Sequence, residues 1–542
     1  MTRWFAFVAF ALATAAAFLF WSWLGRPQAI AEAGVDRVAC LSYSPFRTGQ
    51  TPFDPSFVVP RAQIEEDMRI LAERTGCVRS YAVNQGLEVV PEAAKAAGLE
   101  VVLGAWLGRD PEHNAREIST AVALANAHPE TVRAIVVGNE ALLRGEIGAD
   151  ALAALLRDAR SRTEIPVTYA DVWEFWVRNG PALVDSVDFV TVHILPYWED
   201  DPVAIDHALS HIEAVIGLVE KAFPGKPVMI GEVGWPSAGR MRDGALPSRV
   251  NQARFIREFV AFAEGRQLRY NLIEAFDQPW KRALEGTVGG HWGLYDPLRR
   301  PKFDLSGPVS NHPQWMVSFL SATLFAALPV LWAAARRPLP YLRWLALAVL
   351  AQAAAVVLVL QGNYALLTSR TAASFAIAAT GLSVTAVTGW LLLDAFARSD
   401  CGAARTAPLR AVLSWLRFPR PAGAGRATVL GALRLVAVAG ALAASLGLVF
   451  DARYRDFPTV AFLVPAIGFA LAAWACRRDG LPEAGREEAW LAALLVACAI
   501  AIAVVEGPLN RQALAWAATC LLLAAPWGLR MATARRAAAA SA

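Results

Sequence analysis

Two hydrophobic rhythms divide this chain. Residues 4–24, and most of the sequence from 315 onward, form long and nearly continuous apolar runs. Between them, short apolar runs rich in β-branched residues alternate with amphipathic stretches. The short runs read as strands over 38–46, 78–83, 99–106, 133–140, 166–171, 189–197, 227–232 and 270–276. The stretches between them carry helical spacing: within 61–74, Ile64, Met68 and Leu71 recur at i, i+4 and i+7. Further helices are expected over 114–127, 150–160, 201–223 and 247–265. Eight strand–helix alternations over about 260 residues predict an α/β fold of the (β/α)8, or TIM, barrel type. A doubly wound open sheet is the alternative, but it gives no reason for carboxylates at the ends of both the fourth and the seventh strand.

The long runs have a different solvent. Spanning about 30 Å of hydrocarbon takes about 20 apolar residues, and 4–24 meets that length. Seven more follow, at 315–335, 341–360, 372–393, 427–450, 458–476, 489–505 and 513–529, the last two short or polar-flanked. A cleavable signal peptide has an apolar core of about 7–15 residues before an A-x-A-like site. Ala29-Ile30-Ala31 offers such a site, so cleavage stands as the alternative to the preferred uncleaved anchor. The expected organisation is a transmembrane anchor over 1–25, a soluble barrel over 26–312 and an all-α, multi-span transmembrane domain of about seven helices over 313–542.

Charge changes the picture by its placement. A formal net charge of +4 over 542 residues makes no case for nucleic acid. If the N-terminus is cytoplasmic, fifteen arginines fall in cytoplasmic segments after the barrel: Arg336, Arg337, Arg343, Arg398, Arg405, Arg410, Arg417, Arg420, Arg426, Arg477, Arg478, Arg486, Arg530, Arg535 and Arg536. Only Arg370, Arg453, Arg455 and Arg511 fall on the other side. That positive-inside bias puts both termini in the cytoplasm and the barrel outside it, at an inner (plasma) membrane. Cys40 and Cys77, the two cysteines of the soluble region, can then pair as a disulfide in an oxidising compartment. Cys401, Cys476, Cys498 and Cys520 lie in the membrane region, and no CxxC or Cys/His cluster points to a metal. No metal or cofactor is expected.

The candidate chemistry sits at two strand ends. Glu140 closes the fourth strand in VGNE, and Glu232 closes the seventh in GEVGWPS. In a (β/α)8 barrel the strand C-termini share one rim, where catalytic groups collect. These two positions face each other across its mouth. Retaining glycosidases need two carboxyl groups about 5–5.5 Å apart, one nucleophile and one proton donor. A lone strand-end glutamate is usually a solvated rim residue; two in this order are not readily explained that way.

The longer strings carry a resemblance. VGNEALLRGE from Val137, GEVGWPSAGR from Gly231, RSYAVNQGLE from Arg79, HILPYWE from His193 and EAFDQPWK from Glu274 resemble the strand-end motifs of glycoside hydrolase family 17, whose members act on β-1,3-glucans. The similarity covers roughly residues 36–305. It implies that Glu140 is the general acid/base, that Glu232 is the nucleophile and that Asn139 holds the sugar 2-hydroxyl. In membrane-tethered bacterial relatives it implies hydrolysis or glucosyl transfer on periplasmic β-glucan.

Other residues are weaker candidates. Arg79 can reach Glu232 and keep it ionised, or can be a surface salt bridge. Tyr197 and Trp280 are expected sugar contacts, since aromatic rings stack on apolar sugar faces, while Trp235 is expected to pack beneath Glu232. Asp277 and Lys281 are candidate hydroxyl ligands. His193 reads as a hydrogen-bonded core histidine, and Glu199, Asp200 and Asp201 as a solvated loop. Asp394, Arg434 and Glu506 lie near span ends and are expected to snorkel. The partners expected are a β-glucan, a lipid bilayer and, as an open option, a separate glucan synthase. A nucleotide-sugar synthase needs a cytoplasmic catalytic domain, and the largest cytoplasmic loop, 395–426, is too short for one. A glucan-binding exporter would leave both glutamates inert. Hydrolysis and transfer share one glycosyl-enzyme intermediate, and the sequence leaves that choice open.

Overall fold

Eight short segments pair in chain order, each parallel to the last, and the eighth returns to the first. The computed structural model describes residues 2–416, 425–477 and 486–541. Its strands are β1 (Leu41–Ser42), β2 (Cys77–Arg79), β3 (Glu100–Ala105), β4 (Val132–Asn139), β5 (Val167–Val172), β6 (Val190–His193), β7 (Val228–Val233) and β8 (Arg269–Leu272). They close a barrel in that order, with Leu41 paired to both Val78 and Leu272. The expected (β/α)8 barrel is present, and the open sheet is excluded. Most strands are shorter than the apolar runs that predict them. The 38–46 run contributes only two ladder residues, because Val38 pairs no further than a single bridge to Thr75.

Parallel neighbours need a crossover, and a helix supplies each one. The first four are Arg61–Leu71, Val90–Ala96, Pro111–Ala127 and Ala149–Arg160; Trp173–Leu183, Ala208–Ala222 and Arg249–Arg266 complete the circuit, and Arg282–Gly289 follows β8. Local chemistry sets several helix starts. Asp110 precedes a helix with proline in its first turn and accepts the Glu112 N–H at 3.0 Å. Ser248 accepts the Asn251 N–H at 3.0 Å.

Strand alternation sorts the barrel into two cores. Leu41, Val78, Val101, Leu103, Ile135, Val137, Val190 and Val192 pack with helix residues such as Ile64, Met68, Ile118, Leu152 and Ile212. Intervening residues form a second, separate cluster of Cys40, Cys77, Val102, Ala134, Val136, Ala170, Phe189 and Met229. Both faces of the sheet are therefore buried, as a parallel sheet requires. Cys40 and Cys77 are joined as a disulfide within the second cluster, their Cα atoms 4.4 Å apart. Residues farther along the same strands reach the rim, where the chemistry sits.

The chain divides into two compact units, Gln28–Val309 and a second made of Met1–Pro27 with Ser310–Ala542. In the barrel unit the entering and leaving segments are paired, Gln28 with Val309 in an antiparallel bridge. The buried guanidinium of Arg257 ties both segments down, donating to the carbonyls of Ala31, Asp304, Ser306 and Gly307.

Among the described residues of the second unit, seven helices are long and apolar enough to cross a membrane: Trp4–Leu24, Trp315–Arg336, Tyr341–Thr368, Ala372–Arg398, Arg426–Phe450, Glu487–Glu506 and Arg511–Arg530. The eighth expected span, 458–476, becomes the shorter helix Thr459–Ala475 of 17 residues. Ala6, Ala9 and Ala13 of the first helix share a core with Ala322, Ala326, Ala348 and Ala351, small residues that let helix backbones approach closely.

Snorkelling is not what this unit's buried charges do. Asp394 is buried and pairs with Arg337 at 3.1 Å, Arg398 at 2.8 Å and Arg426 at 2.7 Å. Arg434, also buried, pairs with Glu488 and donates to Thr406 at 2.7 Å. Most partners of Asp394 and Arg434 come from distant sequence, which lets those two charges stay inside instead of reaching for water. Glu506 is different: it is half-buried and accepts from Asn510, four residues on, at 2.8 Å. Cys401 and Cys476 form a second disulfide. Three of the topology-setting arginines, Arg417, Arg420 and Arg478, lie outside the described residues.

Candidate active site

Two bulges build the site. Between β4 and β5 the register runs Val136 to Thr168 and then Asn139 to Ala170, so β4 carries one extra residue. Between β6 and β7 it runs Val192 to Ile230 and then His193 to Glu232, so β7 carries one extra as well. An extra residue flips side-chain parity and re-aims the side chains beyond it. Glycine occupies both places. Gly138 has φ +88°, and a Cβ there would meet the Tyr169 ring at 3.3 Å. A Cβ on Gly231 would lie 2.7 Å from Thr191 Cγ2 and 2.9 Å from the His193 ring. The bulges bring Asn139 level with Ala170 and Glu232 level with His193.

Glu140, immediately past β4, is itself left-handed at φ +53°, a conformation that costs a non-glycine residue about 1–2 kcal/mol. Its N–H donates to Ala170 O at 2.8 Å and its carbonyl accepts the Arg144 N–H at 2.9 Å. The Arg144 side chain donates to Asn139 O and to Leu107 O, and its guanidinium lies 4.3 Å over the Trp106 ring. These contacts hold the strained turn.

The two carboxyl groups meet. One oxygen of Glu140, one of Glu232 and a ring nitrogen of His193 all lie within 4.8 Å of one another. The nearest oxygens of the two carboxyl groups are thus close enough for both groups to act on one bound atom pair. Glu232 Oε1 accepts from the Tyr81 hydroxyl at 2.7 Å and from Arg79 Nη1 at 3.2 Å. Arg79 Nη2 reaches Asn139 Oδ1 at 2.5 Å, and His193 Nε2 lies 3.0 Å from the same oxygen. Two donors on Oδ1 fix the amide orientation and leave the Nδ2 donors as the end available to a substrate hydroxyl.

Their environments push the two carboxyls apart. Burial raises Glu140, and the charges of Glu232 and Asp171 add to it. Arg144 and Arg79 offset only part, and the carboxyl is pushed up to about 8. Burial also raises Glu232, but His193, Arg79, the Tyr81 hydrogen bond and Lys281 outweigh it and hold that carboxyl below the usual range. At neutral pH one is protonated and the other ionised. His193 is held down at about 4, chiefly by burial, so it carries the charge that favours ionised Glu232 only in acid and is neutral at pH 7.

Glu140, His193 and Glu232 are also a conceivable metal set. The donor atoms argue otherwise. His193 Nε2 faces an oxygen that can only accept, so that nitrogen carries the proton and the ring's lone pair lies on Nδ1, turned toward Gly231 instead of the carboxylates. Arg79 already supplies positive charge to Glu232.

The other expected residues divide. Arg79 ends β2 instead of lying early in it, and it is buried between Glu232 and Asn139, so it is no surface salt bridge. Lys281 pairs with Glu274 at 2.7 Å close to the carboxyl pair. Trp280 is half-buried at the rim, its Nε1 donating to Gln278 at 2.8 Å.

Tyr197 differs from expectation. Its ring is fully buried among Trp198, Trp235 and Trp292, and its hydroxyl donates to Arg240 O. It is a core aromatic, not a sugar contact. Asp277 differs too: it is buried, bonded to Lys302 at 2.9 Å and to the Gly293 N–H, with His291 at 3.5 Å. Its carboxylate anchors the 291–302 segment and has no face for a hydroxyl ligand. Trp235 is buried and donates to Leu246 O. Glu199, expected in a solvated loop, is bound by His211 at 3.0 Å.

Sequence reading missed Tyr81, Arg144, Asp171 and Glu117. Glu117 is buried on the helix after β3, and its Oε2 accepts the N–H groups of Val83 at 3.2 Å and Trp106 at 3.1 Å. It clamps the loops that follow β2 and β3. Asp171 accepts from Tyr169 and from the N–H groups of Leu143 and Val172, bracing the turn after Glu140.

Residues 40–293 match the family described as the BtgE/BtgC glycoside hydrolase domain. A probable beta-glucosidase btgE of Aspergillus fumigatus is 28% identical over 262 residues, 47% of this chain and 45% of that protein. The chain thus spans about half the length of such relatives. A glucan 1,3-beta-glucosidase of Saccharomyces cerevisiae is 26% identical over 267 residues, 44% of this chain and 84% of that one. Among solved structures, an active-site mutant of a Rhizomucor miehei beta-1,3-glucanosyltransferase with laminaritriose is 24% identical. It covers 51% of this chain and 98% of its own, with a TM-score of 0.44. The barrel itself is established by the closed order of its eight strands.

Proposed function

We propose that the barrel, whose residues 40–293 match a glycoside hydrolase domain, is that of a membrane-anchored retaining enzyme acting on β-1,3-glucan. It cleaves the polymer through a covalent glycosyl-enzyme intermediate and passes the glycosyl group to a sugar acceptor. One observation carries the reading: two carboxyls at the ends of β4 and β7, within 4.8 Å, are biased to opposite protonation states.

The steps follow from that bias. Glu232, ionised and held by Arg79 and Tyr81, attacks the anomeric carbon while Glu140 donates its proton to the departing oxygen. The Asn139 amide donates to the sugar 2-hydroxyl, a contact that strengthens as the ring flattens toward the oxocarbenium ion. Glu140, now ionised, takes a proton from the incoming hydroxyl, which releases the product and restores both groups. Lys281 and Trp280 contact substrate beside the pair.

Transfer is preferred over hydrolysis because of the architecture. The long apolar helices would hold the site at a membrane surface, with the barrel outside the cytoplasm and both termini within it. A nascent glucan, supplied by a separate synthase, would then be present at high effective concentration. Hydrolysis is the second reading, favoured by relatives such as the Saccharomyces cerevisiae protein, which is a glucan 1,3-beta-glucosidase. The test is product analysis of the full chain in detergent with laminari-oligosaccharides. Products longer than the donor, or with new linkages, support transfer. Only shorter sugars at millimolar donor make it a hydrolase, and no cleavage of any β-1,3-glucan overturns the reading.

A further inference from the structure

Phe53 is 64% exposed, yet its surroundings do not resemble those of a stray surface phenyl. It sits between β1 and the next helix, on a turn tied down at several points. Its N–H donates to Thr51 Oγ1, and the next carbonyl, of Asp54, accepts from Gln85 Nε2 at 2.7 Å and from the Phe57 N–H. Asp54 Oδ1 in turn accepts both donors of Ser56, at 3.0 and 2.6 Å. Gln85, on the loop after β2, adopts φ +53° as it makes this brace. Polar contacts thus hold an apolar ring in water, where its hydrophobic surface goes unused.

The ring is edge-to-face with Trp280 from the β8 loop, centroids 5.5 Å apart and planes at 78°. Trp280 is also fixed. Its Nε1 donates to Gln278 Oε1, and Gln278 is fully buried, its amide donating to Ser44 O and Phe276 O. Phe46 supports the indole from another side. The adjacent Lys281 bonds Glu274 and acts electrostatically on Glu232. The two rings therefore stand on the loops that leave the neighbouring strands β8 and β1 at the rim carrying the carboxyl pair.

We propose that Phe53 and Trp280 form an outer glucan subsite, a platform for a glucosyl unit beyond those held at Glu140 and Glu232. The inference rests on the β-glucan reading above and deepens it. A β-glucosyl ring presents axial C–H groups on its faces and hydroxyls at its edge. A fixed aromatic corner takes such a face, and the edge hydroxyls stay in water. Two pre-positioned rings lose little freedom on binding. The contribution grows with chain length, because only a chain long enough to reach past the carboxyl pair touches Phe53.

The test is calorimetric binding of laminaritriose and laminarihexaose to the full chain carrying Glu140→Gln, with and without Phe53→Ala. Phe53 is exposed, so its removal leaves the packed core intact. The hexaose should bind the Glu140→Gln protein about 5- to 10-fold more tightly than the triose, roughly the worth of one aromatic contact. Phe53→Ala should abolish that difference, and Phe53→Tyr should retain it. Equal affinity for the two sugars with Phe53 in place, or a length preference that survives Phe53→Ala, overturns the platform while the β-glucan reading stands. No binding of either sugar overturns both.

Discussion

Arg79 Nη2 lies 2.5 Å from Asn139 Oδ1, while Nη1 of the same guanidinium reaches Glu232 at 3.2 Å. One buried cation thus holds the carboxylate of β7 ionised and orients the amide beside Glu140 on β4. The proposed mechanism depends on that double role, since it needs the two strand ends registered to each other as well as placed on one rim.

The pH profile should show both carboxyls. The working form has Glu232 ionised and Glu140 protonated. Activity should therefore fall on the acid side only below the usual carboxylate range, where Glu232 takes up a proton, and on the alkaline side near pH 8 as Glu140 loses its own. The check is kcat/KM against pH on an oligosaccharide substrate. An alkaline limb near pH 5 would contradict the assignment of Glu140 as the acid.

Tyr81→Phe removes a single donor to Glu232, at 2.7 Å, and no apolar packing. A hydrogen bond to a charged group is worth about 1.5–3 kcal/mol, which converts to a loss of about 10- to 100-fold in kcat/KM. The acid limb should also move to higher pH, a change that a merely structural effect would not produce.

Glu117→Ala leaves the N–H groups of Val83 and Trp106 without their acceptor. Two buried unsatisfied donors cost about 1–3 kcal/mol each, so thermal unfolding of the barrel in detergent should come at clearly lower temperature. kcat should fall with it as the loops bearing Tyr81 and Trp106 loosen. Glu117→Gln restores an acceptor oxygen and should recover both properties. If glutamine is as harmful as alanine, the clamp is not what Glu117 provides.

Gly231→Ala puts a methyl group 2.7 Å from Thr191 Cγ2, at the residue whose insertion into β7 brings Glu232 level with His193. A displacement of about 1 Å at a reacting group costs about 100-fold. Activity should drop by at least that much, and steady-state kinetics on the purified variant will measure it.

Much of this architecture is legible in the chain. The eight β-branched runs and their alternation with amphipathic stretches suffice for the barrel, because parallel pairing with helical crossovers leaves few other closed arrangements. Glu140 and Glu232 stand out because strand ends are countable. The bulges also leave a trace, in the glycine before Asn139 and the one before Glu232, since a lone glycine late in a strand marks a ladder about to slip. Tyr197 misleads because an aromatic at a strand end looks the same in sequence whether it faces sugar or core. Asp277 and Arg434 mislead for a shared reason. Their partners, Lys302 and Glu488, lie 25 and 54 residues away, and only the fold brings them together. Glu117 gives no signal, as its role is to bond backbone that no sequence pattern marks.

The most direct test of the account is to trap the intermediate. The full chain in detergent is incubated with a β-glucosyl or laminaribiosyl fluoride bearing fluorine at C2, which slows breakdown of the glycosyl-enzyme more than its formation. The protein is then digested and its peptides weighed. The account predicts a stoichiometric glycosyl adduct on the peptide containing Glu232, formed in the wild type and absent from Glu232→Gln. An adduct on another residue, or no adduct together with an inverted anomer in the products of ordinary substrate, would contradict it.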